Sequence, residues 1–261
     1  MNSQEQSTTL YVNGESWFHC LHPFTKLAYV LLAGVTVYLA PGGWWVGGAL
    51  LVFNLVLAAL CGVVGRAWKI LWRTLLPLVL FMIPIHVFLY PGNVTPVVTL
   101  NSVSLYLEGL RFAGSILLQL TVVLSASLLF ILCTHPADFI TATTQAGWPP
   151  SLAYLLGSPL LMLPAMRARV EVIQSAQRAR GLDSEGNIFR RIKSVGPLVV
   201  PFVLGALIEI EQRAVALEVR GFNSRSARTS WRCVPDSRIQ RLSRRAMFGL
   251  AVGIIIYRVV R

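Results

Sequence analysis

Charged residues are scarce in this sequence. Asp, Glu, Lys and Arg make up only 13% of its 261 residues, whereas soluble domains carry roughly a quarter. Apolar residues account for 55% of the chain. This balance excludes an ordinary soluble globular protein. It predicts an all-α, polytopic membrane protein, since helices satisfy their own backbone hydrogen bonds inside a bilayer.

Motifs of the common catalytic and nucleotide-binding sites are also absent. The sequence has no Gly-x4-Gly-Lys-Ser/Thr loop for phosphates, no His-Glu-x-x-His, no Gly-x-Ser-x-Gly and no cluster of carboxylates. These absences predict that the chain is not an enzyme and binds no cofactor, ATP included.

Cysteine and histidine are few and scattered, at four residues each. No Cys-x2-Cys pair occurs, and no histidine has a carboxylate at ligand spacing, so the spacing predicts neither a metal site nor a disulfide framework. We interpret the thiols as buried or incidental. The cysteines are Cys20, Cys61, Cys133 and Cys233, and the histidines are His19, His22, His86 and His135.

Basic residues outnumber acidic ones, by 23 to 11, which gives a net charge of +12. In a soluble protein this balance would suggest nucleic acid as a partner. Here, however, 16 of the basic and 8 of the acidic residues lie between Thr134 and Arg245, beside apolar runs. The positive-inside rule therefore predicts a cytoplasmic region of a cell-membrane protein and no nucleic-acid partner.

Five apolar runs predict about five transmembrane helices. Four lie within residues 25–133, after a cytoplasmic tail at residues 1–24, and the fifth occupies residues 246–261. The Arg- and Trp-rich residues 66–73 are interpreted as an interfacial loop between the second and third spans. With this loop and residues 134–245 inside, the C-terminus is predicted outside.

Residues 134–245 are amphipathic rather than uniformly apolar, which is typical of helices at a membrane surface. One helix is predicted from Pro164 to Arg180. A second helix is predicted to follow Pro197 and Pro201 and to end at Arg220. The region is therefore predicted to consist of coupling helices on the cytoplasmic side.

Two shorter apolar stretches, residues 149–164 and 195–208, stay ambiguous. Such lengths fall short of the 20 or so residues that a spanning helix needs, so interfacial or buried helices are favoured. If residues 195–208 did span the membrane alone, the ends of the two predicted helices would face opposite sides.

One pattern occurs twice, forty residues apart. Each copy has Glu, Ala five residues later, and Arg-Gly four residues after that, followed by an apolar residue, Asp or Asn, and Ser. Glycine supplies the left-handed conformation that ends a helix, and arginine interacts favourably with the negative end of the helix dipole. The copies are Glu171-x4-Ala176-x3-Arg180-Gly181 and Glu211-x4-Ala216-x3-Arg220-Gly221.

Helix capping alone explains one Arg-Gly ending, but it does not require the same Glu and Ala upstream in both copies. The duplication therefore indicates a shared function. Each guanidinium can form bidentate hydrogen bonds with carboxylates or with backbone carbonyls of a partner. Two such ends fit a partner with two equivalent grooves, which is a dimer.

The residues around these endings resemble those of a known family. Ala179-Arg180-Gly181 and Val219-Arg220-Gly221 resemble the paired Arg-centred motifs of the transmembrane T component of energy-coupling factor (ECF) transporters, the family of cobalt- and biotin-uptake permeases. The similarity covers most of the chain. It includes Leu21–Leu27, where His22 and Phe24 replace Asp and Arg of the family pattern, Arg228-Thr229 and Asp236.

The resemblance implies a scaffold in an importer. It implies that two cytoplasmic ATP-binding cassette subunits hold the ATP and dock onto Arg180 and Arg220. A small substrate-binding membrane subunit would bind the vitamin or transition-metal ion. The residues that would support the coupling helices are Glu171, Ala176, Glu211 and Ala216.

Two alternatives stay open. A stand-alone permease would need a polar path through the spans, for which only His86 and the hydroxyl groups of the fourth run are available. A membrane-bound enzyme acting on an anionic lipid would need paired acid or nucleophile residues near the inner surface, and none cluster in the sequence.

Overall fold

The computed structural model describes residues 11–12, 14, 16–40, 43–92, 96–100, 103–182, 188–222, 224 and 233–260. These residues form eight α-helices and one short antiparallel hairpin, which confirms the all-α architecture. The helices are α1 (Pro23–Leu39), α2 (Gly43–Leu60), α3 (Val64–Leu89), α4 (Leu107–Cys133), α5 (Pro136–Gln145), α6 (Pro150–Ala179), α7 (Ile188–Val219) and α8 (Arg238–Val260). The hairpin strands are β1 (Pro96–Leu100) and β2 (Val103–Tyr106).

The chain divides into two compact units. One unit comprises residues 151–233 and contains α6 and α7. The other comprises residues 2–150 and 234–261 and contains the remaining helices and the hairpin.

Helix α4 is the central helix of the larger unit, and α1, α2 and α3 all pack against it. Its buried face carries small or aliphatic residues. Ala113, Val122, Ala126 and Leu129 are each at most 1% exposed. Small side chains allow neighbouring helices to approach closely, which is how helices associate where no hydrophobic driving force acts between them.

A buried polar contact joins three helices of this unit. Asn54 of α2, which is 2% exposed, donates from Nδ2 to Ser125 Oγ (2.8 Å) and to the Val122 carbonyl (3.2 Å), both in α4. The hydroxyl of Tyr29 in α1 donates to Asn54 Oδ1. Ser125 of the fourth apolar run therefore serves to join helices, as polar side chains inside helical bundles usually do.

Four helical segments among the described residues are long and apolar enough to cross a membrane. They are α2, α3, α4 and Val195–Val219 of α7. Helix α1 is a shorter apolar helix of 17 residues. Helix α8, which contains the predicted last span, begins eight residues earlier than predicted and is not among the four.

Residues 66–73, predicted as a loop, are helical. The chain turns at Gly62, which has a φ of 68°, and α3 begins at Val64. The rings of Trp68 and Trp72 stack with their centroids 5.9 Å apart, as residues four apart on a helix can. The prediction of a loop was wrong because interleaved cations and tryptophans fit an interfacial helix equally well.

Helices α6 and α7 are longer than predicted because they continue through their prolines. Helix α6 includes Pro159 and Pro164, and α7 includes Pro197 and Pro201. The predicted starts of both helices were therefore wrong. A proline removes only its own backbone hydrogen bond and disturbs those of its close neighbours, so the turns before and after it can keep their hydrogen bonds and continue the helix.

Candidate functional site

Helix α6 ends in a glycine-centred cap. Gly181 has a φ of 87°. Its N–H donates to the carbonyl of Arg178 (2.9 Å), and the N–H of Leu182 donates to the carbonyl of Gln177 (3.0 Å). These two bonds form a Schellman motif, which satisfies carbonyls that a helix end otherwise leaves without partners.

Helix α7 ends in the same way. Gly221 has a φ of 71°. Its N–H donates to the carbonyl of Glu218 (2.9 Å), and the N–H of Phe222 donates to the carbonyl of Leu217 (2.9 Å). Both glycine caps predicted from the duplicated pattern are therefore confirmed, and each places an arginine directly before the glycine.

The two arginines lie on the surface of these helix ends. Arg180 and Arg220 are exposed, and neither side chain forms an ion pair or hydrogen bond with another residue that the structure describes. Ala176 and Ala216 precede them by four residues, on the same face of each helix. Because alanine is small, each guanidinium stays accessible to a partner.

The remaining predicted residues are not all close to the arginines. Ala179 and Val219 are exposed directly beside them. Glu171 and Glu211 are also exposed, but they lie nine residues earlier, which is on the opposite side of the helix and about 13 Å away along its axis. The structure therefore does not bring the glutamates to the arginine ends. Asp183, Ser184, Asn223 and Arg228-Thr229 fall outside the described residues.

Helices α6 and α7 run antiparallel to each other. Tyr154, near the start of α6, packs against Phe222, just after the end of α7, with ring centroids 5.4 Å apart. Near the opposite end of the pair, Gln177 Nε2 donates to the carbonyl of Pro197 (3.2 Å). The two arginine ends consequently lie at opposite ends of the helix pair.

An ion pair joins the two helices between these ends. Arg169 Nη2 in α6 lies 2.7 Å from Glu209 Oε2 in α7, and the two side chains are 31% and 21% exposed. Arg213 Nη2, one turn further along α7, donates to Glu209 Oε1 at 3.1 Å. Glu209 is thus held by a cation on each helix.

Arg169 and Glu209 occupy equivalent positions in the two copies of the pattern. Each lies eleven residues before the arginine of its own copy. Because equivalent positions touch in an antiparallel pair, the two copies are related by an approximate twofold axis that passes near this contact. Eleven residues at about 1.5 Å each place either arginine end about 16 Å along its helix from the contact. Sequence reasoning missed this pair. The forty-residue offset between the copies shows that the two positions are equivalent, but not that they are in contact.

The starts of α1 and α8, in the larger unit, are joined by polar contacts. Arg244 Nη2 lies 2.6 Å from Asp236 Oδ2, and Arg244 Nη1 donates to His22 Nδ1 at 2.9 Å. The N–H of His22 donates to Gln240 Oε1 (3.0 Å). Burial is the main reason that the pKa of His22 is lowered, with Arg244 and Lys26 acting in the same direction and Asp236 opposing them. His22 and Asp236, two positions of the family resemblance, therefore help to connect the starts of α1 and α8.

His86 of α3 is a packed side chain. Its Nδ1 bonds to the carbonyl of Met82 (2.9 Å), and its ring packs against Phe112 of α4 with centroids 5.3 Å apart. These contacts favour a structural role for His86 over a permeation path.

Comparison with known proteins identifies the family. A family model described as "Cobalt transport protein" (CbiQ) matches residues 14–231. The chain is 27% identical over 255 residues to the energy-coupling factor transporter transmembrane protein EcfT of Leuconostoc gelidum subsp. gasicomitatum, covering 93% of each chain. It is 30% identical over 234 residues to the EcfT of Lacticaseibacillus paracasei, covering 85% of this chain and 87% of the relative. The EcfT of Staphylococcus aureus is 29% identical over 237 residues, or 85% of each chain. The chain therefore belongs to the CbiQ cobalt transport protein family, whose members include the transmembrane components of ECF transporters.

Proposed function

We propose that the chain is the membrane scaffold of an ECF importer. In this proposal, α6 and α7 couple two cytoplasmic ATPase subunits to a separate membrane subunit that binds a vitamin or a transition-metal ion. The ATPases hold the ATP, and this chain holds no cofactor. The relatives are named as energy-coupling factor transporter transmembrane proteins, which supports a role within such a transporter.

The observation that carries the proposal is the symmetric placement of Arg180 and Arg220. They are exposed cations on two identically capped helix ends, about 16 Å along the helices from the Arg169–Glu209 contact. A dimer of ATPases presents two equivalent surfaces related by a twofold axis. Each ATPase subunit would therefore receive one of the two arginine ends.

The groove that receives each arginine should offer carboxylates or backbone carbonyls. A guanidinium has donors in a fixed planar fork and no acceptor, so it selects such oxygens. The ion pair between α6 and α7 would make the two ends move together when the ATPases close. The helix pair would then transmit that motion to the membrane helices.

The proposal places α6 and α7 at the cytoplasmic surface. Val195–Val219 is long and apolar enough to cross a bilayer, but a crossing would put Arg169, Glu209 and Arg213 near its mid-depth. Charged groups are costly there. The excess of basic residues between 134 and 245 supports the cytoplasmic placement.

Charge reversal at either helix end tests the proposal. In the assembled transporter, Arg180→Glu and Arg220→Glu should each reduce uptake by at least about tenfold and weaken co-purification of the ATPases, because charge-assisted hydrogen bonds are lost and like charges meet. Arg167→Glu is the matched control, since Arg167 is an exposed arginine of α6 outside the motif. If both motif variants kept the ATPases and full uptake, the coupling role would be disproved.

A further inference from the structure

Three potential metal ligands that are far apart in the sequence meet inside the larger unit. A ring nitrogen of His19 and the sulfur atoms of Cys61 and Cys133 all lie within 4.8 Å of one another. Ligand atoms around one thiolate-bound metal ion are separated by roughly 3.5–4 Å, given metal–sulfur distances of about 2.3 Å and metal–nitrogen distances of about 2.0 Å. We propose that His19, Cys61 and Cys133 form a binding site for a thiophilic cation, Cu⁺.

Three different elements supply these ligands at one end of the bundle. Cys133 is the last residue of α4, Cys61 follows the end of α2, and His19 precedes α1. Cys133 is 1% and Cys61 is 7% exposed. They belong to the apolar cluster that contains Phe18 and Leu132, and such surroundings exclude water from a bound ion. A metal here would bond the three segments directly, in addition to the hydrogen bonds by which Lys26 already connects the His19 and Cys133 segments.

The contacts of His19 leave one ring nitrogen suited to a metal. Nε2 faces the carbonyl of Val12 at 3.2 Å, so this nitrogen carries the proton and donates. Nδ1 then holds the lone pair and accepts a hydrogen bond from the Ser16 hydroxyl (2.7 Å), which a bound metal would replace. A metal-bound histidine usually donates its other N–H to a carbonyl or carboxylate, which fixes its tautomer and orientation. The Val12 carbonyl already provides that acceptor.

Lys26 determines which cation the site favours. Its side chain is buried, and Nζ donates to the carbonyls of Cys133 (2.7 Å) and His19 (3.0 Å), two of the three ligand residues. Two thiolates around Cu⁺ carry one net negative charge, which the Lys26 ammonium neutralises. Zn²⁺ with two thiolates is already neutral, so the ammonium would stay uncompensated.

The number of ligands also favours Cu⁺. Soft thiolate ligands select Cu⁺ and Zn²⁺, but structural Zn²⁺ is almost always bound by four ligands. The described residues group only three, which suits trigonal Cu⁺. Binding would form two Cu–S bonds and one Cu–N bond and would release the two thiol protons to solvent, without oxidation or reduction.

The test is Cu⁺ titration of the full-length chain in lipid nanodiscs, under anaerobic reducing conditions and against a colorimetric Cu⁺ chelator. We expect one Cu⁺ per chain. Cys61→Ser and Cys133→Ser should each weaken binding by at least about 100-fold, because even the loss of a hydrogen-bond partner that orients a ligand costs up to that much. Cys20→Ser and Cys233→Ser are matched controls at exposed cysteines and should leave binding unchanged.

If a variant fails to fold, X-ray absorption spectroscopy on the unmodified chain still tests the site, because it identifies the ligand atoms around copper. Two sulfur ligands and one nitrogen ligand around copper would support the site, and any other ligand set would overturn it. A parallel titration with Zn²⁺ separates the two cations. The proposal fails if no Cu⁺ binds stoichiometrically, if binding survives loss of the buried cysteines, or if Zn²⁺ binds to them in preference to Cu⁺.

Discussion

Gly181 and Gly221 are the residues whose identity the fold requires most directly. Both have a positive φ, where a residue with a Cβ atom is strained. Each also gives its helix end the pair of cap hydrogen bonds that holds the neighbouring arginine in place. The positions of Arg180 and Arg220 therefore depend more on the backbone conformation of the two caps than on contacts of the arginine side chains.

Replacing either glycine should therefore destabilise the helix end. We expect Gly181→Ala and Gly221→Ala each to cost about 1 kcal/mol, the strain of a left-handed alanine, and to lower the thermal unfolding temperature of the purified chain. Gly196→Ala in α7 is the matched control, because Gly196 has no positive φ and no side chain lies within 4 Å of the position that a Cβ atom would take. Alanine there should be neutral or stabilising. Equal losses in all three variants would contradict the cap argument.

These caps could be predicted from the sequence because capping depends only on neighbouring residues. Glu171 and Glu211 were predicted to support the coupling helices, and that role stays a prediction. Helical geometry puts both glutamates on the face opposite to the arginines. Recurrence in sequence showed that the positions are equivalent in the two copies, but it did not show what they contact.

The α6–α7 pair is the element on which the proposed coupling depends. Its antiparallel arrangement is evident from contacts near both ends and from the Arg169–Glu209 ion pair between them. Because both side chains are partly exposed, the ion pair contributes modestly to stability. Its larger effect is to fix the register in which one helix lies against the other.

Exchanging the charges of this ion pair tests that role. Arg169→Glu and Glu209→Arg should each destabilise the helix pair by about 0.5–1 kcal/mol and reduce uptake, because each places like charges together. The double exchange should restore most of the loss, although Arg213 would then face a cation at residue 209. Thermal unfolding and uptake in a double-mutant cycle measure the coupling. A double variant no better than either single one would show that the contact is not specific.

The sequence predicted the starts of α6 and α7 poorly, because both helices extend further than expected. Pro164, Pro197 and Pro201 were interpreted as marking helix starts, and α6 and α7 instead continue through them. Proline disfavours a helix only locally, whereas the turns on both sides keep their own backbone hydrogen bonds over many residues. The helix ends were predicted well because glycine at a cap acts within a single turn.

For the whole molecule, the main question is on which side of the membrane the arginine ends lie. Segment Val195–Val219 satisfies the length and composition of a span. The charges at Arg169 and Glu209 and the basic surroundings favour a surface position. The two placements predict opposite results for labelling.

We expect Arg180→Cys and Arg220→Cys to react with a membrane-impermeant maleimide from the cytoplasmic side only. The exposed Cys20 and Cys233 are first replaced by serine so that they do not react. Pro91→Cys is the matched control, since residue 91 is exposed beyond α3 on the predicted outer side and should react only from outside. Labelling of residues 180 and 220 from opposite sides would mean that α7 crosses the bilayer.

The sequence by itself determined the membrane class, the presence of four apolar helices before residue 134 and the two arginine-tipped helix ends. Hydropathy, helical period and capping are properties of residues close together in the chain, so they can be recognised without a fold. Only the tertiary structure decided that α6 and α7 pair antiparallel through Arg169 and Glu209. It alone also brought His19, Cys61 and Cys133 together. Such contacts join residues 40 to more than 100 positions apart, and their formation depends on how whole helices pack, which no local pattern encodes.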